Sequence, residues 1–150
     1  MFTMNRADIL DDRIGRRRIT LRRRLEDALV LACHLPAGDR LVLEQVYYHG
    51  LSPRDLGRLT GRPARQQRHH VASLLRRCRS RRFAFLAVHG DALDPLTRRV
   101  AQLSIFHGLT LRNVAHETGL SLHQVRLILQ QVAALSRAEQ ARRHGDKMTR

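Results

Sequence analysis

The chain has 150 residues, a formal net charge of +15, and 28 basic residues against 13 acidic ones. Twenty-seven of the basic residues are Arg, leaving Lys147 as the sole Lys. Such a balance points to a polyanionic partner, nucleic acid first. Two cysteines without a CxxC pair exclude a disulfide scaffold. Cys33-His34 and His69-His70 with Cys78 match no structural zinc spacing, so no metal is expected. The longest apolar runs, 28–33 and 83–88, are too short to cross a membrane, and residues 1–6 lack the apolar segment of a signal peptide. The expected compartment is the cytoplasm, with association to the nucleoid.

Residues 1–19 form a basic arm in which Ile9, Leu10 and Ile14 hint at a weak amphipathic helix. The arm reads either as a phosphate-binding leader or as a solvated one. Residues 20–35 read as a helix, with Leu21, Leu25, Ala28, Leu29, Ala32 and Leu35 on one face. Leu35-Pro36-Ala37-Gly38 ends it. Asp39 is expected to cap the next helix, which runs to about Tyr48 and buries Leu41, Val42, Val46 and one or both tyrosines. His49-Gly50 stops that helix. Ser52 then caps a short one, with Pro53 at its first position and Asp55 three residues after the cap. Leu56 and Leu59 are expected to face the core. Gly61 turns the chain, and a third helix occupies about 63–79.

The window 56–90 holds no acidic residue and nine Arg. The apolar run 83–88 begins a new leading helix, broken at His89-Gly90-Asp91. Asp94-Pro95 starts a helix over 95–107 that buries Leu96, Val100, Leu103 and Ile105 or Phe106. Thr110 caps a helix carrying Val114 and Ala115. Gly119 turns the chain, and Ser121 caps the last helix, 122–140, with Leu120, Val125, Ile128, Leu129 and Val132 inward. The polar tail 141–150 frays. No stretch alternates with period two, so the fold class is all-α.

Tyr48-His49-Gly50-Leu51-Ser52 returns as Phe106-His107-Gly108-Leu109-Thr110. Residues 40–77 laid on 98–135 share ten identities in thirty-eight positions, against roughly three expected by chance for this composition. The repeated unit is a helix, a tight turn, a short helix, a glycine turn and a longer helix. The spacing therefore predicts tandem helix-turn-helix units of about four helices each, over 20–80 and 81–140. Each is near the lower size limit for an independent core, so the halves are expected to pack on each other or on a shared partner.

The run from Leu35-Pro36 through Tyr47-Tyr48-His49-Gly50-Leu51-Ser52-Pro53-Arg54-Asp55-Leu56-Gly57-Arg58-Leu59-Thr60-Gly61 resembles region 4, the promoter-recognition domain, of bacterial sigma factors. Gly108-Leu109-Thr110 through Gln124-Val125-Arg126 resembles it again, and together the matches span about 35–137. The first unit departs from the pattern at Arg62 and Gln67, where the family has the apolar anchors that the second unit keeps in Leu120 and Val125. That departure implies a first recognition helix that is shifted or less tightly packed. The promoter-melting domain of a complete sigma factor is not expected in the residues before the first unit.

A helix-turn-helix lays its second helix in the major groove. In unit 1, Arg65 and Arg68 suit guanine edges, Gln66 suits adenine, and His69 lies beside them. Arg54, Arg58, Arg76 and Arg77 suit phosphates. In unit 2 the candidates are Ser121, His123, Gln124 and Arg126, with Arg112 on the preceding helix. The expected function is a sequence-specific DNA-binding transcription regulator with double-stranded DNA as partner. Two other readings stand beside it. One is a module that docks on RNA polymerase and alters promoter choice. The other is the DNA-recognition subunit of a recombination, transposition or phage-packaging system. No glycine-rich phosphate loop, acidic metal cluster or activated nucleophile suggests an enzyme, and no cofactor is expected. The oligomeric state stays open, a homodimer included.

Overall fold

The computed structural model describes the backbone of residues 6–148 and the side chains of residues 19–145. The protein is all-α, with eight α-helices and no strand among the described residues. They are α1 (Arg6–Leu31), α2 (Ala37–Tyr48), α3 (Pro53–Thr60), α4 (Ala64–Cys78), α5 (Arg81–His89), α6 (Pro95–Ala101), α7 (Leu111–Thr118) and α8 (Leu122–Met148). Short 3-10 turns at Ala32–His34 and Gly90–Ala92 follow α1 and α5, and a π-helical turn, Gln102–Phe106, extends α6.

The 58-residue repeat reappears in three dimensions. The starts of α2, α3 and α4 fall at 37, 53 and 64, and those of α6, α7 and α8 at 95, 111 and 122. The local chemistry repeats with the same offset. The Ser52 hydroxyl accepts the Asp55 N–H (3.2 Å), and the Asp55 carboxylate accepts the Ser52 N–H (3.0 Å). Thr110 likewise accepts the Asn113 N–H (3.3 Å). Each such cap is worth about 1 kcal/mol. The Ser52 hydroxyl and the Ser52 backbone N–H both donate to the Asp55 carboxylate and hold it below the usual carboxylate range, so it is anionic at neutral pH. Gly50, Gly61, Gly108 and Gly119 all take positive φ, between 62° and 69°. L-side chains pay for that conformation and glycine does not. After each helix-ending glycine turn the chain folds back the same way: Arg62 N–H donates to Gly57 O, and Leu120 N–H to Ala115 O.

One position separates the copies. A Cβ on Gly57 would sit 2.6 Å from the Arg62 carbonyl oxygen, whereas Ala115 carries a Cβ at the matching place. Gly57→Ala is therefore expected to destabilise the protein by about 1–3 kcal/mol through overpacking, despite the better helix propensity of Ala. Denaturant unfolding of the variant checks this, and an unchanged or raised midpoint would contradict it.

The main core draws on both halves. Leu25, Ala28 and Leu35 meet Leu43, Leu74, Leu75 and Cys78 from the first half, and Phe83, Leu86, Ala101, Ile105, Phe106 and Val132 from the second. At its centre Phe83 and Phe106 lie 4.7 Å apart between ring centroids, and His34 stacks on Phe106 at 4.9 Å. A smaller cluster, Val100, Leu103, Val114 and Val125, belongs to the second half alone. Arg77 of α4 adds a polar tie. It donates to Asp39 (2.6 Å), which also receives His70 (3.2 Å), and its guanidinium lies against the backbone of Gly108.

Several sequence expectations need correction. The helix expected over 20–35 starts at Arg6 and absorbs most of the arm, whose side chains up to residue 18, like residues 1–5 entirely, lie outside the described part. Asp39 sits in the first turn of α2, whose N-cap is Pro36. Leu41 is 54% exposed and Leu43 is buried instead, because residues two apart on a helix point to opposite sides. Leu59 is 72% exposed, since the eight-residue α3 turns Leu56 and the close-packed Gly57 inward. Leu96 is exposed because α6 buries Thr97, Val100 and Ala101. The tail does not fray at 141: α8 continues to Met148, with 149–150 outside the described residues.

Candidate nucleic-acid interface

Helix α4 is two-sided. Gln67, Leu74, Leu75 and Cys78 are buried, while Arg65, Gln66, Arg68, His69, Ala72 and Arg76 are exposed. The buried residues pin the helix to the core and leave a mostly polar side outside, interrupted at Ala72. Arg54 and Arg58 on α3 are exposed as well. Arg65, Arg68 and Arg76 pair with no carboxylate among the described residues. With no acidic residue from 56 to 90, their charge is uncompensated locally.

The polar anchor in α4 has a clear account. Gln67 is 2% exposed, and its Nε2 donates to the Thr60 hydroxyl (2.6 Å), which in turn donates to Leu56 O (2.7 Å). In the second half Val125 fills this place, and Thr118 keeps the matching bond to Val114 O (2.7 Å). A buried amide with a partner is tolerated where an orphaned one is not. The helix is thus in register with α8, not shifted. Arg62, at the other anchor position, is exposed, whereas Leu120 is half-buried.

Two of the five candidate residues in the second half are committed elsewhere. The Ser121 hydroxyl accepts the Gln124 N–H (3.2 Å), and Gln124 Oε1 accepts the Ser121 N–H (2.9 Å). This capping box occupies the oxygen that Gln124 would need for a bidentate contact with adenine. Gln66 is the matching residue of α4, whose N-cap, Pro63, makes no side-chain bond. Arg112, His123 and Arg126 remain exposed. Arg77 departs from expectation as well: held by Asp39 and against Gly108, it is a structural tie and not a free phosphate contact.

Other site chemistry is sparse. No group of three or more His, Cys, Asp or Glu among the described residues could hold a metal ion, and no helix there is long and apolar enough to cross a membrane. Burial pushes the Cys78 thiol up to about 11, while Cys33 is exposed. Cys33 is therefore expected to react first with a thiol reagent in the native protein, with Cys78 following only on unfolding. A stoichiometric thiol titration checks this, and fast labelling of two thiols would contradict it.

A cleft of about 460 Å³, which no sequence motif marks, lies between α5, the start of α7 and the middle of α8. Arg81, Arg82, Arg126 and Arg137 line it. Their signal was present as helical spacing, since Arg126, Gln130, Ala133 and Arg137 fall on one stripe of α8.

No family model, curated protein or solved structure matches this chain. Fold and site together define an all-α protein built on a 58-residue repeat, with a shared core and an uncompensated arginine face.

Proposed function

We propose that the protein is a sequence-specific DNA-binding transcription regulator in which α3–α4 and α7–α8 act as two helix-turn-helix units. One observation carries the reading. The first two turns of α4 expose Arg65, Gln66, Arg68 and His69 together, on a helix held by a buried opposite face and in a window without acid. In the major groove, Arg65 and Arg68 offer forks to guanine O6 and N7, and Gln66 pairs with adenine. Arg54, Arg58 and Arg76 meet phosphates, which fix position but not sequence. The second unit reads less, because its Ser121 and Gln124 cap their own helix. Arg112, His123 and Arg126 give it a lesser DNA contact. That inequality favours a second role for unit 2, as a surface for a protein partner such as RNA polymerase.

Titration of the full chain with duplex DNA over a salt series tests the reading. With about six phosphates neutralised, log K falls against log[salt] with a slope of roughly −5. A flat salt response would contradict it.

A further inference from the structure

The cleft beside α8 is separate from the reading face of α4 and shares only Arg126 with the DNA contacts proposed for the second unit. Arg126 and Arg137 stand eleven residues apart on one stripe of α8, so about 16 Å separates their positions along the axis. Arg81 and Arg82, at the start of α5, close the opposite side. The floor is Leu129 and Ala133, with Leu111 at one end. All four arginines are exposed, and none pairs with a carboxylate among the described residues. No acidic residue lines the cleft. Four cations around one hollow repel one another, a cost that a bound polyanion removes.

The repeat strengthens the case. At an offset of 58 residues, Arg81, Arg82, Arg126 and Arg137 correspond to Arg23, Arg24, Arg68 and Arg79. The quartet is thus complete in both copies. Packing alone does not require this, since the buried neighbours have changed: Leu75 and Cys78 of the first copy become Ala133 and Ser136 in the second. The smaller pair leaves room at the floor of the second copy. A guanidinium presents a planar fork of donors that matches phosphate oxygens.

We propose that this cleft is a phosphate-binding site, taking either an oligophosphate or successive phosphates of a nucleic-acid strand. It does not depend on base reading by α4. Arg81 and Arg82 clamp from α5, Arg126 and Arg137 from α8, and the apolar floor excludes water beneath the bound group.

Inorganic tripolyphosphate and a short DNA duplex, each titrated into the full chain, are the probes. Arg82→Ala/Arg137→Ala removes two cleft charges, and Arg54→Ala/Arg65→Ala, the α3–α4 pair, removes two charges outside both quartets. Both pairs are exposed, so both variants should fold, as circular dichroism would verify. Tripolyphosphate is expected to bind the native chain one to one. The cleft pair should weaken it at least about ten-fold and the α3–α4 pair should not. If a strand is the source of phosphate, the cleft pair should make the duplex salt slope shallower by about two, and base preference should persist. A loss specific to the cleft pair with either probe supports the site and identifies its source of phosphate. Equal effects of the two pairs on tripolyphosphate, with an unchanged duplex slope in the cleft pair, would overturn it. If the native chain binds no duplex, the DNA reading fails, and the tripolyphosphate arm still decides the cleft.

Discussion

Changing Arg65 and Arg68 together to alanine is expected, on the proposed base reading by α4, to erase most sequence discrimination while leaving the fold intact. Both side chains are exposed on the first two turns of α4, and neither is used in an internal ion pair among the described residues. A good bidentate arginine–guanine pair is worth about 1–3 kcal/mol of discrimination, so losing two should reduce preference for the best site by roughly 30-fold or more. Binding to unrelated duplex should fall much less, because the proposed phosphate contacts of Arg54, Arg58 and Arg76 are untouched. Competition binding with specific and random duplexes measures the ratio directly. If affinity for both duplexes falls by the same factor, Arg65 and Arg68 contact phosphate and α4 does not read bases.

The largest stability effect is expected at Phe106. Its ring is buried against Phe83 and His34, at the centre of the core that both halves share. Phe106→Ala should cost about 3–5 kcal/mol, from lost transfer energy and the cavity left behind. That is a large part of the 5–15 kcal/mol typical of a folded domain. The repeat supplies an internal control. Tyr48 occupies the matching position of the first copy and is 68% exposed. Tyr48→Ala should stay within about 0.5 kcal/mol. Thermal unfolding of the two variants makes the comparison. Because the core is common property, the native chain should melt in one transition, and Phe106→Ala should lower it for the whole molecule. Equal melting of the two variants, or two separate transitions in the native protein, would contradict the shared core.

What the sequence made legible was mostly local. Ser52, Pro53 and Asp55 announce a helix start because a cap needs only neighbours within one turn, and the capping box forms as expected. Gly61 and Gly119 mark turns because only a residue without Cβ enters the left-handed region freely. The all-α class followed from helical spacing and the absence of alternation. Burial was less legible, since it depends on which helix faces which. Leu41, Leu59 and Leu96 are apolar but exposed, and Leu43 takes the inward place. Phe106 and Tyr48 hold equivalent positions and differ in fate, because the second half packs onto the first only at one of them.

The candidate site divides the same way. The exposed stripe of α4 could be read from spacing and charge. The uses of Ser121, Gln124 and Arg77 could not. Ser121 and Gln124 had two jobs open to them, capping and reading, and the helix start claimed both side chains. Arg77 reaches Asp39, thirty-eight residues away, a pairing that no local pattern signals. Gln67 looked like a broken anchor until Thr60 supplied its partner. The cleft of Arg81, Arg82, Arg126 and Arg137 brings α5 against α8, which only the tertiary fold reveals.

Selection of bound sequences from a random duplex pool by the full chain tests the central claim most directly. Base reading by α4 predicts an enriched motif with guanines, lost in the Arg65→Ala/Arg68→Ala variant. A pool that emerges from the native protein without enrichment would contradict it.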